Sequence, residues 1–289
     1  MRLLSREMPD DFNLFLFGDA HMGTILHNHK GFEQFVDTMQ SPYDGLPATR
    51  NYAVDHGDAI EAITVDDKRY DARLVDDPRG TPLVQADDYV AAISPIKDRL
   101  VCRLTGNHEL HLGKFGDLAA YISEKLEVPH GTYSARITYH DRDGYTLFKH
   151  FATHGRKMLS SVADDPLRRD VNMKLSLKRH LKFKAGDCIL QSKGHTHRLL
   201  VSRPNTELYL VDDGEHIQQK YSDSHATDGY IHPDHRWYCN TGSFYKLYTD
   251  GYSGYAECAE YDPLEQGYCV AVVRDREIQD VKKVILGGA

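Results

Sequence analysis

The stretch Leu100-Val-Cys-Arg-Leu-Thr-Gly-Asn-His-Glu-Leu110 runs from an apolar segment through a glycine into three polar side chains of different chemistry. A strand that ends in a plain turn needs only the glycine. Asn107, His108 and Glu109 therefore need a further reason, and the same arrangement recurs along the chain. FGDAH carries Asp19 and His21, HGDAIE carries Asp58, ATHG carries His154, and KGHTH carries His195 and His197. Side chains just past the carboxyl ends of sheet strands converge on one rim, where α/β proteins bind ligands. Turn chemistry accounts for an Asp, Asn or His beside any one glycine, but poorly for the whole ordered set.

The surrounding pattern predicts an α/β layered core. Asn13–Phe17 reads as a buried strand, 31–40 as a helix with apolar positions 32, 35, 36 and 39, 86–98 as a second helix, and 100–104 as the next strand. A hairpin is expected from 134–140 and 145–151 around Asp141-Arg-Asp-Gly144. Residues 156–184 read as helical, and further strands are expected at 188–191, 207–211, 237–239, 255–258 and 268–273. No linker separates the halves, so 1–289 reads as one domain with a basic helical insertion, a cap, at 156–186.

Bulk composition narrows the class. The 289 residues carry a net charge of −8, which argues against a protein that coats nucleic acid through overall charge. Five cysteines, an odd number without CxxC spacing, argue against a disulfide framework or zinc ribbon and fit a reducing compartment. The start, MRLLSREMPDDF, lacks the apolar core of a signal peptide, and no apolar run nears the roughly 18 residues of a membrane span. The expectation is a cytoplasmic protein with no membrane association. No heptad pattern suggests a protein partner.

Carboxylates, an amide oxygen and imidazoles together suit Mn, Fe, Zn or Ni better than Ca or Mg, which prefer all-oxygen shells. The ligands outnumber the needs of one ion, so two ions sharing a carboxylate is the economical reading. At this point the chain resembles the calcineurin-like metallophosphoesterases, whose ordered signature is D-x-H, G-D-x-x-D, G-N-H-D/E, a lone His, and G-H-x-H. The match spans residues 18–197, and Asn240-Thr-Gly-Ser243 resembles the family's N-P-G-S turn. The resemblance implies a four-layer α/β/β/α sandwich and a hydrolase of phosphate esters with a metal-bound hydroxide nucleophile. It implies that Asp19, His21 and His197 bind one metal, that Asp58 bridges, and that Asn107, His154 and His195 complete the second. It makes His108 the group facing the leaving oxygen and Glu109 the residue that orients the His108 ring. Manganese is the first expectation for the two divalent ions, with Fe, Zn or Ni as alternatives.

One departure stands out: Glu61 replaces the second Asp of G-D-x-x-D. In the strand before it, Asp55 and His56 interrupt an apolar run, reading either as groups that orient ligands or as a strand end open to solvent. Residues 156–184 hold nine Lys or Arg against three Asp, so Arg156 and Lys157 are candidate contacts for an anionic substrate, with a solvated amphipathic helix as the plain alternative. Arg73 and Arg79 are weaker candidates. The substrate expectation leans to a phosphodiester, in a nucleotide or nucleic acid. The alternatives are a phosphomonoesterase, acting on a small metabolite or phosphoprotein, and a non-catalytic scaffold on the same fold.

Overall fold

The computed structural model describes residues 1–77, 80–113, 116–222 and 229–287. Its main elements are two mixed sheets with few helices. The five-stranded sheet has the order β13 (Glu277–Ile285), β12 (Gly267–Arg274), β2 (Phe12–Phe17), β3 (Asn51–Asp55), β4 (Leu100–Arg103), with β2, β3 and β4 parallel. The six-stranded sheet has the order β1 (Arg2–Glu7), β5 (Ser134–His140), β6 (Thr146–Thr153), β7 (Leu190–Lys193), β11 (Trp237–Thr241), β8 (Leu199–Ser202), with β6, β7 and β11 parallel. A separate hairpin pairs β9 (Leu208–Asp212) with β10 (Ile217–Tyr221).

Strand β2, FNLFLF, is buried at every position because both of its faces are covered. Phe15 and Phe17 join a core with Phe32 and Phe35 of α1 (His29–Gln40) and Tyr89 of α2 (Pro82–Ile93). Leu14 and Leu16 point the other way, into a core shared with Ile137, Tyr139, Leu190 and Cys239 of the six-stranded sheet. The short α3 (Asn107–His111) follows β4, and α4 (Leu118–Leu126) adds Ile122 to the first core. Met173, Leu177 and Leu181 of α5 (Pro166–Leu181) pack on Phe151, Leu200 and Tyr238.

Several expected elements shift, for local reasons. The segment 156–184 is helical only over Pro166–Leu181. Asp165 caps the helix by accepting from the Arg168 N–H at 2.7 Å, and Pro166 suits only a first turn. The second helix starts earlier than expected, at Pro82 behind the cap Thr81, and gives way at Ser94-Pro95 to a tighter 3₁₀ turn. Residues 255–258, expected as a strand, form the short helix α6 (Tyr255–Cys258), in which the Cys258 N–H bonds to the Gly254 carbonyl at 3.1 Å. That run carries no alternation of apolar and polar residues to hold it in a sheet. The cysteines are free, and all but Cys258 are buried. Among the described residues, no helix is long and apolar enough to cross a membrane.

The two interrupting polar residues of β3 and its exit are not open to solvent. Asp55 and His56 are both buried. His56 belongs to a polar chain between the sheets that is satisfied only with neutral rings. The Tyr139 hydroxyl donates to His150 Nδ1 (3.2 Å), and His150 Nε2–H donates to Ser192 Oγ (2.6 Å). The Ser192 hydroxyl donates to His56 Nε2 (2.6 Å), whose Nδ1–H donates to the Phe17 carbonyl (3.1 Å). Burial, with the neighbouring His56, holds the His150 pKa well below its ordinary value of 6.5. The unfolded chain regains that ordinary value, so His150 contributes its full stability above it and loses stability as the pH falls through it. Between about pH 7.5 and pH 5.5 the loss for one such histidine is about 1.4 kcal/mol. Denaturant melts at the two pH values should show a larger drop for the native chain than for His150→Phe, and equal drops would remove His150 from the account.

Candidate metal centre

The parallel strands end on one edge, and each exit turn delivers a polar side chain there. Asp19 follows β2, Asp58 follows β3, Asn107 follows β4, His154 follows β6 and His195 follows β7. The donor atoms of Asp19, His21 and His197 lie within 4.8 Å of one another, as do those of Asp58, His154 and His195. Within the first group, His21 Nε2 stands 3.1 Å from His197 Nε2, which is 3.5 Å from Asp19 Oδ1. Within the second, His154 Nε2 stands 2.9 Å from Asn107 Oδ1 and 3.2 Å from Asp58 Oδ2. Asp58 Oδ2 also lies 4.0 Å from His21 Nε2, and His21, Asp58 and His108 form a third such group that joins the other two.

The outer nitrogens of two rings are already engaged. His21 Nδ1 bonds to Glu61 Oε2 at 2.8 Å, and His154 Nδ1–H donates to the His56 carbonyl at 2.8 Å. Both rings therefore turn Nε2 inward. At His154, a ring nitrogen, an amide oxygen and a carboxylate oxygen thus face one another. Groups that all accept need a cation or a proton between them. Burial opposes charge on His154, but the Asp58 and Asp19 carboxylates outweigh it and push its pKa up to about 9. Burial likewise opposes charge on Asp58, yet His154, His108 and His21 hold it well below the ordinary range. The residues present thus fit divalent cations.

Five of these residues have left-handed backbone: φ is +53° at Asp19, +51° at His21, +51° at Asp58, +72° at His195 and +54° at His197. Non-glycine residues adopt this region rarely and at a cost of roughly 1–3 kcal/mol each, so the surrounding structure must impose it. The restraints are visible. The His195 N–H donates to Asp19 Oδ2 (2.9 Å), the His108 N–H to Asp58 Oδ1 (2.8 Å), and the Thr196 hydroxyl to Asn240 Oδ1 (3.0 Å). Asn240, from the Asn-Thr-Gly-Ser turn, thereby anchors the His195–His197 loop, and its amide also donates to the Arg198 carbonyl. A Cβ on Gly106 would overlap the backbone and carboxylate of Asp58, so only glycine lets β4's exit turn come this close.

His108 and Glu109 differ from expectation. His108 Nδ1 donates to the Glu61 backbone carbonyl, not to Glu109. Glu109 turns away to accept from the Ala59 N–H (2.8 Å), the Gly106 N–H (3.0 Å) and the Asp58 N–H (3.2 Å). It also pairs with Arg103 Nη2 at 2.9 Å, and Arg103 Nε lies 2.9 Å from Asp55 Oδ2. Glu109 therefore holds the loop that carries Asp58, while Glu61 secures both His21 and His108. The Glu61 side chain, one methylene longer than the Asp of the resembled motif, reaches His21 through Oε2, and its backbone carbonyl holds His108.

Among the basic candidates, Arg156 and Lys157 are exposed, and the Arg156 charge is felt by Tyr133, whose ring lies 5.5 Å from His154. Arg73 is engaged with Asp71 at 2.7 Å. Arg79 lies outside the described residues. Arg69 is the arginine of this loop that reaches the site, with Nη1 3.5 Å from His108 Nε2 while Asp67 holds its other nitrogens. Its only sequence signal was its place in the loop after Asp58. Lys193 is a second residue the pattern did not single out. Its buried ammonium donates to the Gly194 carbonyl at 3.2 Å, and burial, opposed by Asp19, lowers its pKa to about 8. Tyr245 is a third, its ring 5.0 Å from that of His21 and 5.4 Å from that of His197. No family model matches the chain, and a search of curated proteins finds no match either.

Proposed function

We propose that the chain is a metal-dependent phosphoesterase of the calcineurin-like type, hydrolysing phosphate esters at two divalent ions that share Asp58. The observation that carries this reading is the meeting of residues from separate strand exits, 19 to 197 in the chain, in two donor groups that the His21, Asp58 and His108 group joins. Asp19, His21 and His197 would hold one ion, and Asn107, His154 and His195 the other. Two sheets with a shared core, one with helices on its far side and the other with α5, suit the four-layer α/β/β/α arrangement of that family. Ions bound there would polarise the phosphoryl group and lower the pKa of water at neutral pH. Mn is the first choice for this mixed oxygen and nitrogen set.

The protein's own groups supply the remainder. With Nδ1 fixed by the Glu61 carbonyl, His108 presents Nε2 outward, where it can deliver a proton to the departing oxygen. Aspartate and glutamate around the ring favour its charged form, although burial opposes it, and its pKa is raised. Arg69, beside that nitrogen, supplies positive charge for phosphoryl oxygens.

Mn-loaded protein should hydrolyse at least one of an aryl phosphate monoester, an aryl phosphodiester, a cyclic nucleotide and single-stranded DNA. Purified protein that binds no transition metal, or that leaves all four intact, would overturn the reading. His108→Ala should keep its metal and lose about 10²–10⁴ in turnover, with the larger loss for poor leaving groups. Equal losses for good and poor leaving groups would remove His108 from proton transfer.

A further inference from the structure

A cavity of about 620 Å³ opens directly beside His195 and His197. Its volume lies within the roughly 300–1,000 Å³ typical of small-molecule sites. Its walls are mainly apolar and aromatic: Leu26, Met158, Tyr245, Leu247, Tyr261 and Leu264. Tyr245 belongs to both places, since its ring also packs edge-on against His21. The cavity is therefore continuous with the metal centre. Beyond the His195–His197 motif, it is built by the non-helical stretch after His154, the loop after Ser243 and the region around α6.

The charges of this cavity are as informative as its walls. Arg198 is half-buried, lines the cavity, and makes no side-chain hydrogen bond among the described residues. The carboxylate it feels, Asp262, is engaged by Arg169 Nη1 at 3.3 Å. Glu260 and Asp262 stand on the same lining. An apolar chamber with one open guanidinium and acidic neighbours suits a flat, largely uncharged ring that carries hydrogen-bond acceptors. It does not suit a strand of nucleic acid, whose successive phosphates would meet those acids. A phosphopeptide would bring a flexible polar backbone to apolar walls and leave its amides unpaired.

We propose that this cavity is the subsite for the organic part of the substrate, and that the substrate is a small phosphate ester of an aromatic alcohol or nucleoside. The proposal rests on the phosphoesterase reading and sharpens it. Phosphate sits at the metal centre, and the ring lies against Tyr245 and the leucines with its acceptors toward Arg198. The basic α5 takes no part in the contact; the stretch before it does, through Met158.

Calorimetric titration of Mn-loaded His108→Ala protein, whose turnover is slowed about 10²–10⁴-fold, tests this by binding alone. The ligands are inorganic phosphate, phenyl phosphate, adenosine monophosphate and a single-stranded oligonucleotide. Burial of a ring predicts that both aromatic monophosphates bind at least about tenfold tighter than inorganic phosphate. Met158→Glu, at a side chain 64% exposed and therefore tolerant of change, should abolish that gain and leave inorganic phosphate affinity as it was. Leu264→Glu gives the same comparison at a second lining residue. Arg198→Met should weaken the nucleotide more than phenyl phosphate, because only the nucleobase offers acceptors. Tighter binding of the nucleotide than of phenyl phosphate identifies a nucleoside as the ligand's source, and the reverse order identifies a simple aryl group. Equal affinity for inorganic phosphate and both aromatic esters, or an oligonucleotide binding tighter than the mononucleotide, would overturn the proposal. Failure of inorganic phosphate itself to bind in a metal-dependent way would instead count against the phosphoesterase reading.

Discussion

Asp58→Asn should lose at least about 10³-fold in turnover together with part of its bound metal, measured by metal analysis of the same preparation. The magnitude follows from the several kcal/mol of charge stabilisation that a shared dinuclear site supplies, at roughly 1.4 kcal/mol per tenfold. Asp58 is the right residue because its carboxylate stands between the two donor groups, 3.2 Å from His154 Nε2 and 4.0 Å from His21 Nε2. The amide can still accept the His108 N–H through one oxygen, as Asp58 Oδ1 does at 2.8 Å, so the fold has reason to survive. What it would not supply is the negative charge that the proposed pair of cations would share. Full turnover with undiminished metal would exclude Asp58 as a bridge.

Arg103→Leu should destabilise the protein by about 3–5 kcal/mol, the cost of leaving buried charges without their partner. Arg103 is among the largest fully buried side chains, and it faces two buried carboxylates at 2.9 Å each, Asp55 and Glu109. It also donates to the Ala119 carbonyl at 3.1 Å. For a chain of this size the melting temperature should fall by roughly 10 °C. The effect should reach the metal centre, because the same carboxylates fix the Asp58 turn: Asp55 Oδ1 accepts from the Gly57 N–H at 2.8 Å and Glu109 from the Ala59 N–H. Metal affinity measured on the folded variant should therefore drop as well. An unchanged melting temperature would mean the two acids take up protons at no cost, and the pairing would lose its structural meaning.

The donor residues were legible because each sits in a self-contained local pattern, an apolar run and then a glycine followed by a ligand-type side chain. Strand β2 and helix α1 were legible for the same reason, since alternation and helical spacing are local. Their orienting partners were not. Glu61 reaches His21 and His108 across 40 and 47 residues, and nothing in either segment names the other. The resemblance paired Glu109 with His108, but consecutive residues at the start of α3 point in different directions, and Glu109 bonds to the Asp58 turn instead. Arg103 reads as an ordinary basic residue in a short strand, and only the fold encloses it. The edge strands β1 and β13 escaped notice because their exposed faces are polar and charged, which blurs the apolar signal. The cavity beside His195 draws on segments separated by more than 200 residues, so no linear pattern announces it.

The left-handed turns at Asp19, His21, Asp58, His195 and His197 bear on how such a centre could be moved to another protein. Copying seven side chains onto regular strands or helices would reproduce the chemistry of the donors without their directions, because no regular element supplies a positive φ. The transferable unit is the turn with its restraints: Gly57 and Gly106 in contact behind Asp58, and Asn240 behind the His195–His197 loop. A designer grafting this centre would have to carry over those backbone neighbours first and choose the ligands afterwards.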